Sequence, residues 1–247
     1  MGELTVTFLG SGDAFGSGGR LQTCILVRAP SSRFLVDCGA SALIGMRRFG
    51  VDPNEIGLVL LSHLHGDHFG GLPFFILDAQ LISRRGTPLT IAGPPGTSRR
   101  LREAMDALFP GMSQVRQKFP LAIHELSPGE AAHFGGVTVT PQEVRHFSGA
   151  PALALRIACD GRTLAYTGDT EWCEGLIPAA EEADLLIAEA YFFDKPIKFH
   201  LDLATLRAHL DELRPRRVIL THMSAELLAR KEEVALECAE DGLVVRL

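Results

Sequence analysis

The sequence has no Cys-x-x-Cys pair and an odd number of cysteines. Its five (Cys24, Cys38, Cys159, Cys173 and Cys238) are widely spaced. They give no disulfide framework and read as small buried residues in a reducing compartment. No apolar run approaches the roughly 18 residues needed to span a bilayer. The opening Met1-Gly2-Glu3-Leu4 has neither a positive start nor a long apolar stretch, so no secretory signal is expected and a cytoplasmic location is. Positive charge is not in excess either. Lys and Arg number 24 against 30 Asp and Glu, a net charge of -6, so no global field favours nucleic acid, although a local basic groove stays open. No linker, low-complexity tract or charge run divides the chain. At 247 residues, 46% hydrophobic and 22% charged, it has ordinary globular composition and enough length to bury a core without staples. One domain over 1–247 is expected, built from two similar halves with strands inside and helices outside.

What is there is a series of short apolar runs ending in turns. Leu4, Val6 and Phe8 alternate with threonines and predict a strand; Cys24 to Val27 and Phe34 to Val36 predict two more. Ser41 to Phe49 predicts a helix, and Ile56 to Leu61 a buried strand. A helix to about Ser83 follows Gly70-Gly71-Leu72-Pro73, then a strand over Leu89 to Ala92. Thr97 or Ser98 is expected to cap a helix reaching Leu108. Strands are predicted over Leu121 to Leu126, Val137 to Val144 and Leu153 to Ala158. Asp160-Gly161 is a hairpin signal into Thr163 to Tyr166. Leu185 to Ala188, Val218 to Leu220 and Leu243 to Val245 complete the strands. Asp202 caps a helix with Leu203, Leu206, Leu210 and Leu213 on one face, and Ala225 to Ala239 reads as a last helix.

The densest chemistry lies in Ser62-His63-Leu64-His65-Gly66-Asp67-His68, an H-x-H-x-D-H hexamer on the loop after the Ile56 strand. Three of the nine histidines fall in it. Alternate residues project the same way, so His63 and His65 are placed to grip one ion and Asp67 with His68 a second. Imidazole and carboxylate without thiolate suit zinc, with manganese or iron as alternatives. His146, Asp169 and His222 also follow apolar strands, whose ends carry loops to one rim of a sheet. Together these make five histidines and two aspartates, enough for two ions if Asp169 bridges. His124, His133 and His209 lack such context and read as structural, with His209 on the solvent side of its helix. Asp13 reads as a turn aspartate.

The hexamer, a distant histidine, Thr167-Gly168-Asp169-Thr170 and the late Thr221-His222 together resemble the metallo-β-lactamase superfamily over nearly the whole chain. Phe8-Leu9-Gly10-Ser11-Gly12, Leu35-Val36-Asp37-Cys38-Gly39, Ala92-Gly93-Pro94-Pro95-Gly96 and Ile187-Ala188-Glu189-Ala190 place the likeness in its ribonuclease Z and cyclic phosphodiesterase branch. The resemblance implies an α+β fold, an αββα sandwich of two mixed sheets packed face to face with helices outside. It implies that His63, His65 and His146 hold one divalent metal and Asp67, His68 and His222 a second, with Asp169 bridging. It also implies hydrolysis by a hydroxide that the metals generate, oriented by Asp67. His200, ahead of a helix, matches the branch's general acid, with Glu189 to orient it. Here the chain departs from the pattern, reading His-Leu-Asp where the branch usually reads His-Ser-Thr. Asp37 either supports a ligand histidine or simply ends a strand.

The lead expectation is a phosphodiesterase for a small or cyclic diester. Ribonuclease Z proper carries an inserted arm that grips transfer RNA, and the stretch between His68 and His146 shows only ordinary strand and helix patterns. The basic groups Arg99, Arg100, Arg102 and Arg214, Arg216, Arg217 read as solvated helix ends and turns. The alternatives are a transfer RNA 3′-end endoribonuclease, a lactone or thioester hydrolase on the same site, and a non-catalytic binding module. No membrane partner is expected; family members often form homodimers.

Overall fold

Alternating and continuous apolar runs become strands because each can bury one or both faces. In the computed structural model, which describes residues 3–247, they build two seven-stranded mixed sheets. Met1 and Gly2, part of the stretch read for a secretory signal, lie outside the described residues. The first sheet contains β1 (Thr5–Gly10), β2 (Cys24–Ala29), β3 (Ser32–Val36), β4 (Leu58–Leu60), β5 (Leu89–Gly93), β6 (Leu121–Glu125) and the closing strand β14 (Val244–Arg246). The second contains β7 (Ala132–Phe134), β8 (Val137–Val144), β9 (Ala152–Cys159), β10 (Arg162–Tyr166), β11 (Leu185–Glu189), β12 (Val218–Thr221) and β13 (Glu237–Cys238). The spatial orders are 14-1-2-3-4-5-6 and 13-12-11-10-9-8-7. The two halves thus each make a sheet, and only β14 crosses back, pairing with β1.

Between the sheets lies one apolar layer, with Phe8, Ile25, Phe34 and Leu60 from the first facing Val139, Leu155, Tyr166 and Ile187 from the second. Outside the first sheet pack α1 (Ala42–Arg48), α3 (Leu72–Leu81) and α4 (Thr97–Leu108) through Met46, Phe75 and Leu101. Outside the second pack α5 (Leu176–Ala180), α6 (Leu203–Leu213) and α7 (Ala225–Ala229) through Leu176, Leu206 and Leu227. This is the αββα sandwich. No helix among the described residues is long and apolar enough to cross a membrane.

Strand direction decides where the chemistry goes. β3 and β4 run parallel, as do β10, β11 and β12. β8 is antiparallel to β9, which is antiparallel to β10, so β8 points the same way as β10. The residues that follow these strands therefore emerge at one edge of the sandwich. There the Leu153 amide donates to the Ser62 carbonyl (2.9 Å), tying one sheet to the other.

Three local expectations are corrected. The predicted helix over Ala225 to Ala239 stops at Ala229; a short turn and β13 follow, because β-strand pairing with β12 takes Glu237 and Cys238. Helix α4 is entered through Gly96 at φ 93°, not capped by Thr97 or Ser98; the Thr97 hydroxyl instead donates back to the Pro94 carbonyl (2.6 Å). The second half of the histidine hexamer is not loop but one helical turn, α2 (Gly66–Phe69), which closes because the Phe69 amide reaches the His65 carbonyl (2.9 Å). Asp202 caps α6 as expected, accepting from the Thr205 amide (2.9 Å). Asp160 and Gly161 both have positive φ in the β9–β10 hairpin, the backbone a two-residue turn of that kind requires.

Candidate metal centre

β4 delivers His63 and His65, α2 delivers Asp67 and His68, and β8, β10 and β12 deliver His146, Asp169 and His222. All seven converge. One group, His63, His65 and His146, presents nitrogen atoms within 4.8 Å of one another. A second, Asp67, His68, Asp169 and His222, does the same with four buried residues. Asp169 stands between them. Its carboxylate lies 3.3 Å from His68 Nε2, 3.5 Å from His222 Nε2, 3.8 Å from His63 Nε2 and 4.0 Å from His146 Nε2. Gly168 lets it do so: at φ 59°, its position would force any Cβ to within 2.9 Å of the Leu153 carbonyl.

The rings are aimed by hydrogen bonds at their far nitrogens. His68 Nδ1 donates to Asp37 Oδ2 (2.7 Å). The Ser62 hydroxyl donates to the same oxygen (2.8 Å), so its lone pair accepts from His63 Nδ1 (3.0 Å). His146 Nδ1 donates to the Phe199 carbonyl (2.8 Å). In each ring these bonds place a proton on Nδ1 and leave Nε2 facing the centre, the atom a metal would take. Asp37 is buried, at φ 58°, and also accepts from the Ser62 amide (2.8 Å). Of its two readings, the contacts give the one in which Asp37 supports the ring of His68. Ser62 and the Phe199 carbonyl are missed by sequence reasoning, since neither a serine before a histidine nor a main-chain oxygen carries a signal.

Electrostatics divides the site in two. Burial, reinforced by His68, pushes the pKa of His63 well down, and burial lowers His65 and His146 too, so this trio is neutral. Burial also opposes ionisation of Asp169 and Asp67. His222 and His68 nevertheless hold Asp169 well below the usual carboxylate range, and His68 with His222 does the same for Asp67. The partners shift in the opposite sense: against burial, Asp169 raises His68 and His222. A cation bound there would replace those protons.

The residues fit divalent metal ions. His63 Nε2, His68 Nε2, Asp169 Oδ1 and His222 Nδ1 are buried without a hydrogen-bond partner. An orphaned buried polar atom is costly, and a cation would satisfy several at once. Chelation of the metal-loaded protein is therefore expected to lower its melting temperature. At a free metal concentration 1,000 times Kd the stabilisation is about 4 kcal/mol, or roughly 8–16 °C for a chain of this size, readable by calorimetry. Asp37→Asn should keep the fold, because Asn tolerates positive φ. It should weaken metal affinity about 10- to 100-fold, as measured by competition with a chromophoric chelator.

Beside this centre, Asp169, Glu189, His200 and His222 form a third, overlapping group. Glu189 is buried at the end of β11. His200 Nδ1 donates to its Oε2 (2.9 Å) while its Oε1 takes the amides of Thr170 and Leu201. Burial lowers the pKa of His200, but the Glu189 hydrogen bond and charge outweigh it and raise it to about 9. Burial and Asp169 in turn raise the pKa of Glu189. Tyr191, not singled out in the sequence, stacks on the His200 ring at 5.0 Å.

The remaining groups behave as structural. Asp13 is buried and accepts from the Phe15 and Ser17 amides, a turn aspartate. His209 is not simply on the solvent side: it stacks at 3.6 Å on Trp172, a contact between residues too distant in sequence to foresee. Arg99 and Arg100 pair with Glu103, and Arg214, Arg216 and Arg217 pair with Glu181, Asp184 and Glu237. Five of the six arginines are thus matched by carboxylates, while Arg102 donates to the Ser98 hydroxyl (2.7 Å).

The chain's likeness to known proteins agrees with this geometry. A family described as "Beta-lactamase superfamily domain" matches residues 32–223. A protein of Mycobacterium bovis named ribonuclease Z is 31% identical over 193 residues, covering 74% of this chain and 69% of the relative. The crystal structure of human tRNase Z, short form, superposes with a TM-score of 0.79 at 26% identity, covering 98% of both chains. A diphosphatase of the PhnP family shares the fold at a TM-score of 0.78 and 20% identity, covering 99% of this chain and 98% of its own. With a sandwich of this topology and histidine and aspartate clusters suited to metal ions at its edge, the chain belongs to the metallo-β-lactamase superfamily, as a hydrolase of the branch that includes ribonuclease Z.

Proposed function

We propose that the protein is a dinuclear metal-dependent phosphodiesterase acting on a small or cyclic phosphodiester. The observation that carries this reading is a histidine held by a buried carboxylate next to a cluster of seven ligand-type side chains. His63, His65 and His146 would hold one divalent ion, Asp67, His68 and His222 the other, and Asp169 would touch both; zinc suits the donor set best, with manganese or iron as alternatives. Such ions supply a hydroxide nucleophile at neutral pH and offset charge on phosphoryl oxygens.

The chain's own residues do the rest. Asp67, a carboxylate at the opening of α2, accepts a hydrogen bond from the attacking water and orients it. Asp169 and Asp67 keep the ligand histidines in register. His200, protonated and fixed at Nδ1 by Glu189, offers its Nε2 proton to the departing oxygen. An alkoxide is a poor leaving group, so a positioned acid matters for phosphodiesters of ordinary alcohols. Glu189 acts through His200 as a positioning residue.

A second reading, a transfer RNA 3′-end endoribonuclease, is favoured by the relatives' names. Against it stand the carboxylate-matched arginines and the net charge of -6, which weaken the field a polyanion would follow. A lactone or thioester hydrolase on the same site would have less need of His200. A panel of alkyl phosphodiesters, precursor transfer RNA and lactones tests the three: the proposal expects turnover of small diesters above the other two, and activity confined to lactones would overturn it.

A further inference from the structure

Two loops that deliver site histidines share an unusual composition. Arg145-His146-Phe147 leaves β8, and Lys198-Phe199-His200 precedes α6. In each, a cation, a phenylalanine and a site histidine are consecutive. Both phenylalanines are turned outward: Phe147 is 74% exposed and Phe199 42%. Their rings stand 6.4 Å apart at 38° to each other, and Phe199 meets the His146 ring edge-on, also at 6.4 Å. Ile197, 38% exposed, continues the apolar rim.

The rim is held, not loose. The Phe199 amide donates to Glu171 Oε1 (2.8 Å) and its carbonyl receives His146 Nδ1 (2.8 Å). Its φ is 70°, a conformation bulky residues seldom adopt. Large apolar side chains left in water beside a reactive centre call for an occupant. The occupant must also satisfy the setting, since Arg145 and Lys198 are exposed and make no ion pair among the described residues. A ligand with an anionic group and a flat apolar face meets both demands. A short alkyl diester would leave the rings uncovered, and a sugar alone would offer them no π face.

We infer that Phe147 and Phe199 form an aromatic platform that selects phosphodiesters carrying a nucleobase on the sugar. The inference rests on the phosphodiesterase reading and narrows it from any small diester to a nucleotide. Base–aromatic stacking tolerates every base, because each has a π face, so the platform selects for the presence of a base and not for its identity. Phe147 is the better probe. Its side chain is mostly in water, so its removal costs little packing, whereas Phe199 also positions a site histidine through its backbone.

The test uses the metal-loaded full chain and two substrates with the same scissile bond: a cyclic phosphodiester of adenosine, and its methyl riboside counterpart, in which a methoxy group replaces the base. The quantity read is the ratio of kcat/KM for the first over the second. The wild type should favour the adenosine compound, and Phe147→Ala should reduce the ratio about 5- to 100-fold. Phe147→Tyr, which keeps a ring, should restore it. A wild-type ratio near one, or a Phe147→Ala ratio within about twofold of wild type, would overturn the platform while the diesterase reading stands. Turnover of neither compound by wild-type protein carrying two metals per chain would overturn both.

Discussion

Asp169→Asn is expected to reduce the metal content below two ions per chain and to cut phosphodiester hydrolysis by about 10³-fold. The carboxylate lies within 4.0 Å of ring nitrogens of His63, His68, His146 and His222, so it touches both ligand groups. An amide keeps its shape and removes its charge. Without that charge, Asp67 would be the one carboxylate left among the seven ligand-type side chains to offset two cations, and one would be lost. Because His68 and His222 owe their raised pKa first to Asp169 among the groups that raise it, the substitution should also lower the pKa of both in the metal-free protein. Metal analysis of the purified variant and its rate on an activated diester check both parts. Retention of two ions with wild-type turnover would show that Asp169 does not join the centres.

His200→Ala should lose rate in proportion to how much the leaving group needs a proton. On a dialkyl diester the loss should reach about 10²- to 10⁴-fold, the usual contribution of a positioned acid. On a diester of 4-nitrophenol, whose anion leaves unaided, it should fall below about 10-fold. Glu189→Gln should follow the same pattern more weakly, because the amide can still accept from Nδ1 while offering no charge to hold the imidazolium. Equal losses on both substrates would mean that His200 binds or supports the site without donating a proton.

The parts of this arrangement that were legible in the sequence are those set by periodicity and local spacing. Apolar runs of three to eight residues gave nearly all the strands, since each run has one way to bury itself. The hexamer from His63 to His68 announced a metal centre because no structural need groups three histidines and an aspartate. His146, Asp169 and His222 were readable only through strand ends and family likeness, because parallel strand direction, which brings them together, is a tertiary fact. The helix expected from Ala225 ends early for a related reason: its helical pattern yields to pairing of Glu237 and Cys238 with β12. Ser62 carries no signal because its task is to relay between Asp37 and His63, and Phe147 and Phe199 carry none because only the fold brings their rings together.

The most direct test of the central claim is hydrolysis of an unactivated dialkyl or cyclic phosphodiester by protein shown to carry two divalent ions per chain, with His65→Ala as the control. The account predicts turnover by the wild type that the control lacks. No turnover of any phosphodiester by the doubly loaded protein, with hydrolysis of lactones or thioesters in its place, would contradict it.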